Sequence, residues 1–179
     1  LAAIVMSALT ACNSMSQKRT QETEDPNVQV ERVLDQYRVT LAKGIACYKA
    51  TKGWDDPVDC DGLLREAMQL YSSFPRNERV IMLAAMLSYQ ADRQEQAGYL
   101  LDQLLLGRKP RPEAAVLRSR IAMEEGNLTL AKRILLDQIR LNPMYSQLHE
   151  TLGAVHFLDR NYGEASNALG LAERFGAPN

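Results

Sequence analysis

The chain has 179 residues, with 21 Lys and Arg against 22 Asp and Glu, a formal net charge of −1. Near-cancellation of charge argues against a nucleic-acid binder, which would carry a basic excess. Hydrophobic residues at 46% and charged residues at 24% belong to a globular domain and exclude a disordered chain. Long stretches carry Ala, Leu, Arg, Glu and Gln, which helices tolerate best, and β-branched runs are nearly absent, which argues against an all-β fold. The length suits one compact domain or a short array of repeats.

Residues 1–11 read LAAIVMSALTA, without charge, and are too short to span a bilayer, which needs about 20 apolar residues. Leu9-Thr10-Ala11-Cys12 resembles the lipobox of bacterial lipoproteins. That resemblance implies a signal peptide cut before Cys12, a lipid on its sulfur and an acylated (palmitate-type) amine. The alternatives are an ordinary signal peptide with a chance Cys and a buried N-terminal helix. Each buried CH₂ contributes about 0.8 kcal/mol, so two or three acyl chains anchor stably. Asn13, where an Asp would favour inner-membrane retention by resemblance to Gram-negative lipoproteins, implies the periplasmic face of the outer membrane. Residues 12–25 form the anchor and a tether; the stretch 13–25 holds one apolar residue, Met15, and reaches roughly 20 Å.

The body is expected over 26–179. Val30, Val33, Leu34, Tyr37, Leu41, Ile45 and Tyr48 follow helical spacing, with a start at Asp25-Pro26 and a stop at Gly53. The segment from Lys52 to Asp59 has breakers and no period. Cys47 and Cys60, 13 residues apart, suit a disulfide contributing about 3 kcal/mol; two unrelated buried thiols are the alternative. A zinc site would need more ligands than two Cys without a nearby His. A second helix is predicted over 61–74, with Leu63, Leu64, Ala67, Met68 and Tyr71 inward and Pro75 closing it.

From there a 34-residue period takes over. Ala97, Ala131 and Ala165 are 34 apart, as are Leu101, Leu135 and Leu169. Twelve residues before each Ala stands a small residue, Ala85, Ser119 and Gly153, and Pro110, Pro143 and Pro178 close the units within one residue of register. These columns resemble the tetratricopeptide repeat. The matches include Gly126, Ala131 and Pro143 in one unit and Leu152, Gly153, Tyr162, Ala165 and Ala172 in the next, while the first unit departs with Ala84 and Ala85 in place of Leu-Gly. The resemblance implies an all-α superhelix of about four helix hairpins. The first would be divergent, with Gly44 and Ala67 in the small columns and about eleven inserted residues.

Sequence motifs for catalysis are lacking: there is no phosphate-cradling Gly loop, nucleophile elbow or His-Glu-x-x-His. A non-enzymatic protein with no cofactor and no small-molecule substrate is therefore expected. His149 and His156, seven apart, are expected in the core rather than on a metal. Asp55, Asp56, Asp59 and Asp61 lack EF-hand spacing and read as a solvated turn that caps the next helix. Between Arg108 and Arg140 eight basic residues meet four acids, which suits either solvation or an acidic partner or lipid.

In repeats of this family the first helix of each pair lines a concave groove. Carried over by register, that face presents Arg79, Met82, Met86, Tyr89 and Gln90. Glu113, Val116, Arg120, Met123 and Glu124 follow, then Gln147, Glu150, Ala154, Phe157 and Leu158. Tyr89, Met123 and Phe157 form one column, and an aromatic–Met–aromatic line suits an apolar peptide or amphipathic helix. The chain's own N-terminal helix or a second copy are competing occupants. The expectation is a membrane-anchored periplasmic adaptor that holds a segment of another envelope protein. By resemblance, such lipoproteins serve the assembly of secretion systems, pili or exopolysaccharide exporters. The alternative is an adaptor that localises a peptidoglycan hydrolase.

Overall fold

A computed structural model describes residues 24–42, 60–107 and 109–176. Eight helices and no strand occur among them: α1 Pro26–Ala42, α2 Cys60–Ser73, α3 Glu78–Gln90, α4 Gln94–Leu105, α5 Pro112–Glu124, α6 Leu128–Leu141, α7 Ser146–Leu158 and α8 Tyr162–Arg174. Consecutive helices pack antiparallel as four hairpins, and first helices also touch one another, α1 on α3 and α5 on α7. This is a tetratricopeptide-like α-α array. None of the described helices is long and apolar enough to cross a membrane.

Local chemistry sets the helix ends. The Asn77 side chain accepts from the Arg79 and Val80 N–H groups at 3.0 and 3.2 Å, satisfying donors that the first turn of α3 leaves orphaned. Asn127 does the same for Leu130 at the start of α6, at 3.1 Å. Pro112 opens α5, where its missing N–H costs nothing.

Each of the last three hairpins turns through the same device. Arg93, Asn127 and Asn161 donate back to Ser88, Ala122 and His156 at 2.9, 2.7 and 2.8 Å, the six-to-one bond of a Schellman motif. The residue before each donor is left-handed: Asp92 (φ 59), Gly126 (φ 75) and Arg160 (φ 61). Only Gly126 adopts this conformation without steric cost.

The small columns mark the crossings. The Ser119 hydroxyl donates to the Ala131 carbonyl at 3.4 Å, and a Cβ on Gly153 would stand 3.4 Å from the Ala165 carbonyl. Ala85, Ala97, Ser119 and Ala131 are fully buried, with Ala165 at 4%. Helix backbones approach this closely only where no large side chain intervenes. The core then runs in two clusters, one over α1–α5, which includes Ala114 and Ile121, and one over α5–α8, with Leu105 packed against both. Leu87, Leu100, Leu101, Leu135 and Leu148 are among its fully buried side chains, and each such Leu contributes about 1.5–3 kcal/mol.

The first hairpin needs two corrections. Second helices start at Cys60, Gln94, Leu128 and Tyr162, each 34 residues after the last. That register places Leu63, not Ala67, in the column of Ala97, while Ala67 occupies the place of Leu101; both are buried. First and second helices start 16 residues apart in the last three hairpins but 34 apart in the first, so the excess is eighteen rather than eleven. Ile45, Tyr48, Gly44, Cys47, Trp54 and Asp55, Asp56 and Asp59 lie outside the described residues, as do Cys12 and the tether up to 23. Val30, Val33 and Tyr37 are buried as expected.

Candidate functional site

The α5 and α7 first helices run side by side, and the periodicity that buries Ile121, Leu148 and Val155 turns the other faces outward. There Arg120, Met123 and Glu124 of α5 meet Glu150, Phe157 and Leu158 of α7 around one hollow of about 650 Å³, which Gly153, Ala154 and Leu169 also line. Seven of the groove residues expected from the sequence, Ala154 included, are thus brought together. A smaller hollow of about 320 Å³ continues the groove along Val116, Gln147 and Thr151. At its far end the Tyr145 hydroxyl lies 3.2 Å from both the Glu113 and Gln147 side chains. Burial first, and then the Glu113 charge and hydrogen bond, push the Tyr145 phenol up from its ordinary value.

Exposure rises along the groove. In the column Tyr89–Met123–Phe157, Tyr89 and Met123 are half-buried and Phe157 is 61% exposed. The Tyr89 hydroxyl donates to Glu124, which also accepts from Gln94 at 3.0 Å. Burial and then the Glu124 hydrogen bond and charge push the Tyr89 phenol up to about 12, with Arg120 opposing. Glu124 is therefore a clamp between hairpins before it is a contact for anything else.

The first matched unit contributes less than expected. Met82 and Met86 are half-buried against the core over α1–α5, and Gln90 is half-buried. Arg79 pairs with Glu31 of α1. Here α1 sits beside α3 as the first helix of its own hairpin, and the free part of the groove narrows to α5, α7 and α8.

Two residues in the site had columns but no assigned role. Leu169 repeats Leu101 and Leu135, which are fully buried, yet it is 43% exposed. A Cβ on Gly153 would lie 2.8 Å from Leu169 Cγ, so the bare helix lets Leu169 pack closely against α7 and line the hollow. Phe157 meets Tyr162 edge-on, ring centroids 5.6 Å apart at 63°, and Tyr162, a repeat position in the sequence, is exposed. The signal for both was their place in the last unit, where nothing in the period says what covers them.

The remaining chemistry-bearing residues take structural places. His149 and His156 are buried at 5% and 6%; His149 Nε2 hydrogen-bonds the Pro143 carbonyl at 2.7 Å and its ring tilts against Phe175 at 5.2 Å. No group of three metal-ligating side chains occurs among the described residues. In the basic stretch, Arg118 reaches Asp102 at 3.0 Å and Glu125 at 3.8 Å, Lys109 and Arg111 pair with Glu78, and Arg140 pairs with Asp137. Half of that stretch is thus spent within the array itself.

No protein-family model matches the sequence, and no curated protein matches it. Solved structures do. A crystal structure of MamA superposes with a TM-score of 0.59 at 18% identity, over 66% of this chain and 69% of that one. The MamA RS-1 ArsTM double mutant gives 0.63 at 10% identity, over 84% and 75%, and MamA MSR-1 C2 gives 0.57 at 14%, over 83% and 87%. At these identities the likeness is one of fold: the chain shares with MamA an all-helical, tetratricopeptide-like architecture.

Proposed function

We propose that the protein is a non-enzymatic adaptor whose groove over α5, α7 and α8 binds a segment of a partner polypeptide. The observation that carries this reading is the open apolar hollow at Met123, Phe157, Leu158 and Leu169, rimmed by Arg120, Glu124 and Glu150. Apolar side chains gathered in a concave site with charges at its edge are what peptide recognition requires. The similarity in fold to MamA supports a scaffold in general. The lipobox resemblance at Cys12 supports attachment at the outer membrane, facing the periplasm, and hence a partner among envelope proteins, such as a component of a secretion system, pilus or exopolysaccharide exporter.

Co-isolation from detergent-solubilised envelopes tests this. The full chain should retain an envelope partner, and Phe157→Asp should lose it while keeping its helical circular dichroism; retention by the variant would remove the groove from the proposal. Cys12→Ser should move the protein out of the membrane fraction, and continued membrane association would contradict the anchor.

A further inference from the structure

The second helices carry two jobs in this array. One face packs on the first helix of its own hairpin, and another receives the following hairpin. The receiving positions can be read by register. In α4 they are Leu100, Leu101, Leu104 and Leu105; in α6 they are Ile134, Leu135, Gln138 and Ile139. Leu101 and Leu135 are fully buried, and Leu105 and Ile139 pack into the cluster over α5–α8.

In α8 the same positions are Ala168, Leu169, Ala172 and Glu173. Large side chains have given way to methyls, and an Ile or Leu has given way to an exposed carboxylate. A further hairpin stacked here would bury Glu173 and meet only one large apolar side chain. Such a face offers a further hairpin little apolar surface to bury. Leu169 nevertheless remains a large exposed hydrophobe, so its apolar surface has to be accounted for on the groove side.

There it forms a ridge with Phe157. The ridge separates the 650 Å³ hollow toward Glu150 from a second hollow of about 470 Å³ that Tyr162, Gly170 and Glu173 line. A ridge flanked by two hollows is the surface that receives apolar side chains one helical turn apart on a crossing helix. An extended strand would instead need free backbone partners, which α7 and α8 do not offer. Charge decides what surrounds those apolar side chains. Glu124 and Glu150 edge one hollow and Glu173 the other, against a single cation, Arg120.

We infer that the ridge of Phe157 and Leu169 is the seat for an amphipathic helix of a partner protein, apolar on the face that straddles the ridge and carrying Lys or Arg where it faces Glu150 and Glu173. This inference rests on the groove reading above and adds the class of segment the groove takes.

Two labelled model peptides of equal length test it against the full chain by fluorescence anisotropy at about 150 mM salt, where surface charges are screened beyond roughly 8 Å. Both have Leu at i, i+3, i+4 and i+7; one fills the remaining positions with Lys and Ala, the other with Glu and Ala. The Lys peptide should bind at least tenfold more tightly, and Glu150→Gln with Glu173→Gln should bring the two peptides to within threefold. Leu169→Asp and, separately, Phe157→Asp should abolish binding with circular dichroism unchanged. Equal binding of both peptides, lost in Leu169→Asp, would overturn the basic-helix inference and leave the groove standing. Binding that survives both Asp variants would overturn the inference and the groove together. A dimer in light scattering that Leu169→Asp dissociates would overturn it in favour of a second copy as occupant.

Discussion

One column of the repeat offers three chemically identical truncations in two environments. Leu101 and Leu135 are 0% exposed, whereas Leu169 is 43% exposed. Truncating a fully buried Leu removes its transfer free energy and leaves a cavity, costing about 2–5 kcal/mol. For Leu169, only part of the roughly 1.5–3 kcal/mol of full burial is present, and its outer side already faces the hollow, so little cavity forms. Leu101→Ala and Leu135→Ala should each cost about 3 kcal/mol, and Leu169→Ala about 1 kcal/mol. At about 2–4 °C per kcal/mol for a domain of this size, the first two should lower Tm by about 6–12 °C and the third by about 2–4 °C. Urea and thermal unfolding followed at 222 nm measure both quantities. A Leu169→Ala cost equal to that of Leu135→Ala would mean that Leu169 is covered in solution, and the open ridge would be refuted. If that cost vanished on dilution, the cover would be another copy of the chain.

Two further predictions concern the turns and the clamp. Arg160 holds a left-handed φ of 61 at the position where Gly126 stands one repeat earlier, a conformation that costs an L-residue about 1–2 kcal/mol. Arg160→Gly should stabilise by about 0.5–1 kcal/mol after the added unfolded-state freedom of Gly is counted, and Gly126→Ala should destabilise by about 1 kcal/mol; an unchanged or lower melting temperature in Arg160→Gly would show that the turn is not strained. For Tyr89, folding raises the phenol from 10.0 to about 12. Its contribution is therefore fully present below pH 10 and is lost as pH rises toward about 12. Tyr89→Phe should flatten that part of the decline in urea midpoint between pH 9 and 12, and an identical decline in both proteins would remove the Tyr89–Glu124 clamp as its cause.

The site was legible in part. Arg120, Met123, Glu124, Glu150, Phe157 and Leu158 came together because a repeat carries its register in the spacing of small residues, and one register fixes which helix face is concave. Met82 and Met86 are half-buried against the core and Arg79 pairs with Glu31 of α1, because a first helix near the start of the array has a neighbour whose distance a period cannot report. A double Met82→Glu, Met123→Glu variant would for that reason perturb the core at Met82, which makes Phe157 and Leu169 the cleaner positions.

By itself the sequence determined the repeat: helical periodicity, small residues every 34 positions and turn residues at the ends leave the backbone few alternatives, since local hydrogen bonding and close helix crossings are written in residue type. Which members of a column are covered was decided by the tertiary structure alone. Leu101, Leu135 and Leu169 are the same residue at the same register, yet only two of them are covered. Burial depends on the neighbour that arrives from another hairpin, and the substitution of Ala168, Ala172 and Glu173 on α8 makes that arrival unfavourable at the last one.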